Sequence, residues 1–252
     1  MDTQALHRKL KHCPDHGPVV VTLDGAAGTG KTSLARSLAS GLEIKYLDTG
    51  AMYRAIALLL GEGAWRQPTE WLETRLAEIS FGLSGAGENT RLFLNGDPVD
   101  DAIRREEIGM WASNLASLSV VREHLTRCQR ELGGSFSLVA EGRDMGSVVF
   151  PRAQFKYFLQ ADLEERARRR LAQLKDEYGQ DAALKDIERD IRKRDEQDTG
   201  RAVAPLVAAE DAVRIDTTDK DFDQVLSLIL EDMQARLIQI QDASDFRGGL
   251  AE

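Results

Sequence analysis

The stretch VVVTLDGAAGTGKTSLARSLASGL, residues 19–42, decides the fold. Val19–Asp24 is a short β-branched run, glycines follow it, and Lys31–Leu42 carries apolar residues at 34, 35, 38, 39 and 42. That last spacing is helical, so the stretch reads as strand, glycine loop and helix, the opening of an α/β domain. Inside it Gly25-Ala26-Ala27-Gly28-Thr29-Gly30-Lys31-Thr32 satisfies G-x-x-x-x-G-K-[ST] at every position. Glycines let backbone N–H groups turn inward around phosphate oxygens, where a side chain would block the approach. The helix that begins near Lys31 adds its N-terminal partial positive charge, and Ser33 in its first turn is counted with the loop. Lys31 supplies a mobile full charge for the outer phosphates of ATP, and Thr32 a hydroxyl for Mg²⁺. A strand before the loop and a helix after it separate a nucleotide cradle from an ordinary glycine turn.

Outward from the loop, Lys45–Leu47 reads as a second strand ending at Asp48-Thr49-Gly50, and Ala51–Leu60 as a helix. Pro68–Ile79 has helical character, while Ile79–Leu83 and Arg91–Leu94 alternate around a Gly/Asn turn, with Asn95-Gly96 a second turn signal. Residues 62–103 therefore form a small antiparallel insert. Helices are expected over 104–117 and 119–132, and strands at Ser137–Glu141, Phe155–Gln160 and Ala212–Asp216. Polar helices should fill about 162–177 and 181–196. Phe222, Val225, Leu226, Ile229, Leu230, Met233 and Leu237 mark an amphipathic last helix, followed after Gln241 by a polar, fraying tail.

Composition narrows the classes. The chain has 252 residues, 42% hydrophobic and 30% charged, which suits a globular protein with a large core. Ala55–Leu60 is far too short to cross a bilayer, and MDTQALHRKLKHCPDHG at the start holds no signal-like apolar stretch. The expected location is the cytoplasm, with no membrane partner. A net charge of −9 opposes binding to nucleic acid. Basic residues nevertheless gather at Arg166, Arg168, Arg169 and Arg170, and again at Arg192, Lys193, Arg194 and Arg201, which suits a small, highly charged ligand. Two cysteines, Cys13 and Cys128, make no disulfide framework. Of the four histidines, at 7, 12, 16 and 124, three precede the loop, so histidine catalysis is not expected. His7, His12 and Cys13 read as a chance grouping rather than a metal site.

A phosphate loop alone does not separate GTPases, motor-type ATPases and kinases. The chain has no N-K-x-D guanine motif and no L-S-G-G-Q signature. It also lacks a clear apolar run ending in a metal-binding Asp, the nearest being Leu138-Val139-Ala140-Glu141. It has arginines far from the loop instead, as transfer of a phosphoryl group between two anions requires.

Here the sequence resembles a known family. LDTGAMYR at 47–54 is similar to the acceptor-side motif of bacterial cytidylate kinases, and EGRDMG at 141–146 with VVFP at 148–151 to their central motif. Arg194-Asp195, Asp198 and RAVAPL at 201–206 resemble the segment after their lid. With the loop, four motifs in the family's order span about residues 18–235. The resemblance implies a P-loop α/β fold of three layers: a central parallel sheet with helices on both faces, a small antiparallel NMP-binding insert and a helical lid. On that plan 18–61 and 104–235 form the kinase core with its lid at about 162–200, and 62–103 form the insert. Residues 1–17 and 236–252 are extensions with no assigned role.

The resemblance also assigns roles. Arg54 holds the phosphate of CMP, with Thr49 and Tyr53 shaping the pocket. Ser113, Arg122 and Asp144 read cytosine, whose N4 amino donor lies beside the N3 acceptor; uracil reverses both groups. Arg143 reaches the acceptor phosphate, Arg194 and Asp198 meet the ribose and phosphate of CMP, and Arg201 spans the transferring group. Arg194 and Asp198 are four apart with Arg201 three further, one face if helical, though spacing alone equally fits an i,i+4 ion pair. In the lid, Arg166 stacks on adenine and Arg170 contacts the ATP phosphates, leaving Arg168 and Arg169 to solvent. The catalytic group is then Lys31, Arg143, Arg170, Arg194 and Arg201. The implied reaction is in-line transfer from MgATP to CMP and dCMP by a monomer, without a general base, because the acceptor oxygen is already anionic. A kinase for another monophosphate and an ATP-sensing protein are the alternatives.

Overall fold

The computed structural model describes residues 6, 17–178, 182–201 and 204–248. His7, His12 and Cys13 lie outside them, as do Ala202 and Val203 of the RAVAPL segment. Strand β1, Val20–Gly25, is buried at every position, as befits the middle of a parallel sheet covered on both faces. It lies between β6, Leu138–Gly142, and β7, Phe155–Gln160; β2, Lys45–Asp48, flanks β6 and β8, Val213–Asp216, flanks β7. All four pairings are parallel, giving the order β2-β6-β1-β7-β8. The register sets Asp24 opposite Gly142 and Asp48 opposite Glu141. Three carboxylates therefore meet at the carboxyl edge, where open α/β sheets form their ligand crevices.

Strand periodicity divides the core. Leu138 and Ala140 of β6 enter one cluster and Val139 the other, because successive side chains alternate across a strand. Helix α1, Lys31–Gly41, and the last helix, α8, Phe222–Gly248, cover one face through Leu34, Leu38, Val225, Ile229 and Met233. Helices α2, Thr49–Leu60, α4, Glu106–Leu115, and α5, Ser119–Ser135, cover the other through Met52, Ile56, Ile108, Leu115 and Leu125. This is the α/β class that the opening stretch predicts, in the three-layer arrangement that the resemblance implies. No helix among the described residues is long and apolar enough to cross a membrane.

Helix α3, Thr69–Ala77, leads into an antiparallel sheet of β3, Phe81–Ser84, β4, Arg91–Leu94, and β5, Asp97–Pro98. β3 starts later than the alternation suggests because Ile79 is spent on the main core, 5% exposed. The tip of this insert binds the edge strand of the main sheet. Gly87 N–H donates to the Ile44 carbonyl at 2.8 Å, and Tyr46 N–H to Thr90 Oγ1 at 3.1 Å. Such pairing occupies an edge that would otherwise be open.

Helices α6, Leu163–Tyr178, and α7, Leu184–Thr199, share a small core of their own around Ala167, Ile187 and Ile191. Leu6 is buried in the core that α1 and α8 cover. Helix α8 runs on to Gly248, past the expected end near Gln241. Polar residues do not stop a helix; the first glycine stop signal is Gly248-Gly249.

Candidate active site

The loop between β1 and α1 is a cradle with its cation folded inward. Lys31 Nζ donates to the Ala26 carbonyl at 2.5 Å and to Thr29 Oγ1 at 3.3 Å, and Thr29 Oγ1 donates to Ala26 at 3.0 Å. Burial, and after it the positive charge of Arg143, lowers the Lys31 pKa to about 7 against the pull of Glu141, Asp24 and Asp198. Gly30, left-handed at φ 87°, begins α1, and Ser33 is exposed in the first turn. Gly28 combines φ +81° with close packing: a Cβ would lie 3.0 Å from the backbone oxygen of Arg166. Any side chain there would push the loop off α6.

Thr32 Oγ1 donates to Glu141 Oε2 at 2.9 Å. The Tyr46 hydroxyl donates to the other carboxylate oxygen, and Thr49 Oγ1 donates to the Glu141 carbonyl at 2.7 Å. Burial and the nearby Asp48 charge raise the Glu141 pKa, opposed by Tyr46, Lys31 and Thr32. Glu141 ends the apolar run Leu138–Ala140, the position where Asp was sought. Its extra methylene does not prevent it from reaching Thr32. The signal was present in the sequence, but the apolar run is three residues rather than four and Glu stands in place of Asp. Hydroxyl plus carboxylate at the mouth of a phosphate loop is an oxygen-donor set that fits Mg²⁺.

Across the crevice, Asp144 and Arg122 form a buried ion pair, each side chain 6% exposed. Burial raises the Asp144 pKa and Arg122 opposes that rise. Arg122 also lies over the Tyr53 ring at 5.9 Å from its centre, and burial raises the Tyr53 hydroxyl to about 12. Arg54 donates to the Ile103 carbonyl at 3.3 Å and lies against Gly109, where a Cβ would come within 3.3 Å of both guanidinium Nη atoms. Ser113, four residues on, shares that face of α4.

Arginines converge between these two ends. Partial burial, and then the charge of Arg194, lowers the Arg54 pKa, with Arg104 and Arg170 adding to it. Loss of surrounding water, then the charges of Arg143 and Arg170, lowers the Arg194 pKa as well, although its side chain keeps solvent contact. Like charges gathered this way call for an anion. Part of that demand is met internally: Asp198 accepts from Arg143 Nε at 2.6 Å and pairs with Arg201 at 2.5 Å. The i,i+4 pairing of Arg194 with Asp198 that spacing allows gives way to Arg143, distant in sequence, and to Arg201, three residues on.

Two arginines differ from expectation. Arg166 does not offer a free flat face for stacking. It is 7% exposed and donates to Ala161 at 3.0 Å and to the loop carbonyl of Ala27 at 3.2 Å, while pairing with Asp195 of α7 at 2.7 Å. Arg169 is not left to solvent: it pairs with Glu165 at 2.9 Å and donates to Thr217 Oγ1 at 3.0 Å, fixing α6 to the end of β8. Arg170 is exposed and donates to Gln173 at 2.7 Å, and Arg168 is exposed beside Glu164.

Comparison with known proteins identifies the family. The cytidylate kinase family model matches residues 21–235. A cytidylate kinase of Maridesulfovibrio salexigens is 49% identical over 220 residues, covering 87% of this chain and 98% of the relative. One from Oleidesulfovibrio alaskensis is 51% identical over 216 residues, covering 86% and 98%, and one from Thermosipho melanesiensis is 44% identical over 214, covering 85% and 96%. The matched span holds the phosphate loop, the Arg122–Asp144 pair and the converging arginines, and the chain belongs to the cytidylate kinase family.

Proposed function

We propose that this protein transfers the γ-phosphoryl group of MgATP to CMP and to dCMP, giving ADP with CDP or dCDP. The observation that carries the proposal is the set of arginines, Arg54, Arg143, Arg170 and Arg194, crowded between a phosphate loop and a buried Arg–Asp pair. Residues Gly25–Ser33 hold the triphosphate, and Lys31 swings from Ala26 to the outer phosphates. Arg54 and Arg143 take the CMP phosphate. Arg194 and Arg201 neutralise charge on the group in transit, and Arg170 joins them from α6. Helices α6 and α7 act as the lid, and residues 62–103 as the acceptor-side insert. Because Arg166 ties Ala27 to Asp195, it serves this reading as a brace between loop and lid rather than as a stacking surface.

Asp144 accepts from the cytosine amino group while Arg122 and Ser113 supply donors to the ring acceptors. Thr49 and Tyr53 line the same pocket, and Asp198 leaves its arginines for the ribose. Thr32 and Glu141 would hold Mg²⁺, which would supply positive charge to the phosphates of ATP. The acceptor oxygen is anionic at neutral pH, so positioning, charge neutralisation and exclusion of water supply the rate. The protein acts on this reading as a monomer, and both substrates are nucleotides of the cytoplasm.

An ADP-release assay across CMP, dCMP, UMP, AMP and GMP tests this. Preference for CMP and dCMP is expected; equal use of all five, or ATP binding with no transfer, would refute it.

A further inference from the structure

The base-reading pair depends on a segment with an unusual anchor. Met145–Val149 forms a single π-helical turn directly after Arg143 and Asp144. A helical turn starts with backbone N–H groups that need acceptors, usually the side chain of the residue before it. Here that residue is Asp144, and its carboxylate is turned away to Arg122. The acceptors come instead from β1: Asp24 Oδ1 accepts from Met145 N–H at 2.8 Å and Oδ2 from Gly146 N–H at 2.7 Å. The opposite end of the turn is held by Arg130 of α5, which donates to the carbonyls of Val149 at 2.9 Å and Val148 at 2.8 Å. An anion caps the positive end and a cation the negative end, the arrangement that a helical dipole favours.

Packing keeps the turn against the strand. Val20, Thr22 and Asp24 share one face of β1, and the polar part of that face lies beneath the turn. A Cβ on Gly146 would meet Thr22 Oγ1 at 2.9 Å, so the approach requires glycine. Asp24 is 4% exposed, and burial raises its pKa to about 6 in spite of both backbone hydrogen bonds. A carboxylate kept at that expense has a use that an apolar residue would not serve.

We infer that Asp24 is a positioning residue for nucleobase selection: by capping the Met145–Val149 turn, with Arg130 at its far end, it fixes where Asp144 and Arg143 face the acceptor. This rests on the base-reading role proposed for Asp144. Asp24→Asn keeps the size but gives one oxygen and one NH₂ to two N–H donors, so one hydrogen bond is lost and the turn can shift.

The experiment measures kcat/KM for CMP and for UMP in wild type, Asp24→Asn, Arg130→Gln and Asp144→Asn, with KM for ATP alongside. If Asp24 positions the reader, Asp24→Asn and Asp144→Asn both lower the CMP/UMP ratio, the former by about tenfold, while KM for ATP changes less than about twofold. A lowered ratio in Asp144→Asn with an unchanged ratio in Asp24→Asn defeats this inference and leaves the base reader standing. An unchanged ratio in Asp144→Asn defeats the base reader, and this inference with it. Should Asp24→Asn fail to fold, Arg130→Gln decides the matter by the same comparison from the other end of the turn.

Discussion

Arg143 Nε and Asp198 Oδ2 are 2.6 Å apart, so a carboxylate from α7 occupies the guanidinium proposed for the acceptor phosphate. Asp198 also pairs with Arg201, which makes it an internal counter-ion for two arginines of the cleft. Substrate binding then exchanges one anion for another instead of filling an unbalanced cationic site.

Removing that counter-ion should loosen α7. Asp198→Ala leaves two half-buried guanidiniums without their charged acceptor, with an expected loss of about 2 kcal/mol. Thermal unfolding should show a lower midpoint, and amide exchange in 184–199 should quicken. An unchanged midpoint and unchanged exchange would show that the pair carries no weight.

Lys31 gives a proton-linked prediction. With its pKa lowered to about 7 by burial and Arg143, it is mostly neutral at pH about 8. Phosphate oxygens favour the charged form, so nucleotide binding there should take up close to one proton, falling toward none near pH 6. Calorimetry in two buffers of different ionisation enthalpy measures this; identical heats would contradict it. Lys31→Ala and Arg201→Ala should each lower kcat by about 10²–10³-fold in the ADP-release assay, since each removes charge from the transfer site.

Asp144→Ala should narrow the gap between CMP and UMP. It should also destabilise the fold by about 3–5 kcal/mol, because the Arg122 charge stays buried without a partner. Asp144→Asn separates the two effects, since its amide presents donors where the cytosine amino group needs an acceptor. Full retention of the cytosine preference in both variants would remove Asp144 from the base site.

Asp24 should leave a mark on stability against pH. Burial raises its pKa from 3.8 to about 6, with Asp144 adding to the rise and Lys31 opposing it. Between these values the folded protein holds more proton at this group than the unfolded chain does. Its contribution therefore falls as pH rises through that window and is flat above about 7, a change of about 3 kcal/mol. Denaturant unfolding at a series of pH values should show Asp24→Asn gaining on wild type across the window. A constant difference between the two proteins would contradict the shift.

The strand–loop–helix at 19–42 was legible because its signals are local: a β-branched run, glycines at fixed positions and a 3.6-residue period. The same holds for α5 and for the alternation of β4. What escaped depends on contacts across the sheet. Asp24 reaches Met145 and Gly146, and Tyr46 reaches Glu141, through a strand register that no local pattern encodes. Arg166 and Arg169 share one helix and one chemistry, yet opposite faces send one to the loop carbonyl and the other to Thr217. Helical spacing told that they diverge, but not which partners each would meet. Glu141 was passed over for a different reason: it is one methylene longer than the residue sought.

A structure of the protein with CMP and a non-hydrolysable ATP analogue bound together tests the central relationship most directly. Arg143, Arg194 and Arg201 should then lie within about 3 Å of phosphate oxygens at the junction, with Asp198 released from Arg143. Two nucleotides bound apart, with Arg143 still on Asp198 and the other arginines turned away, would contradict it.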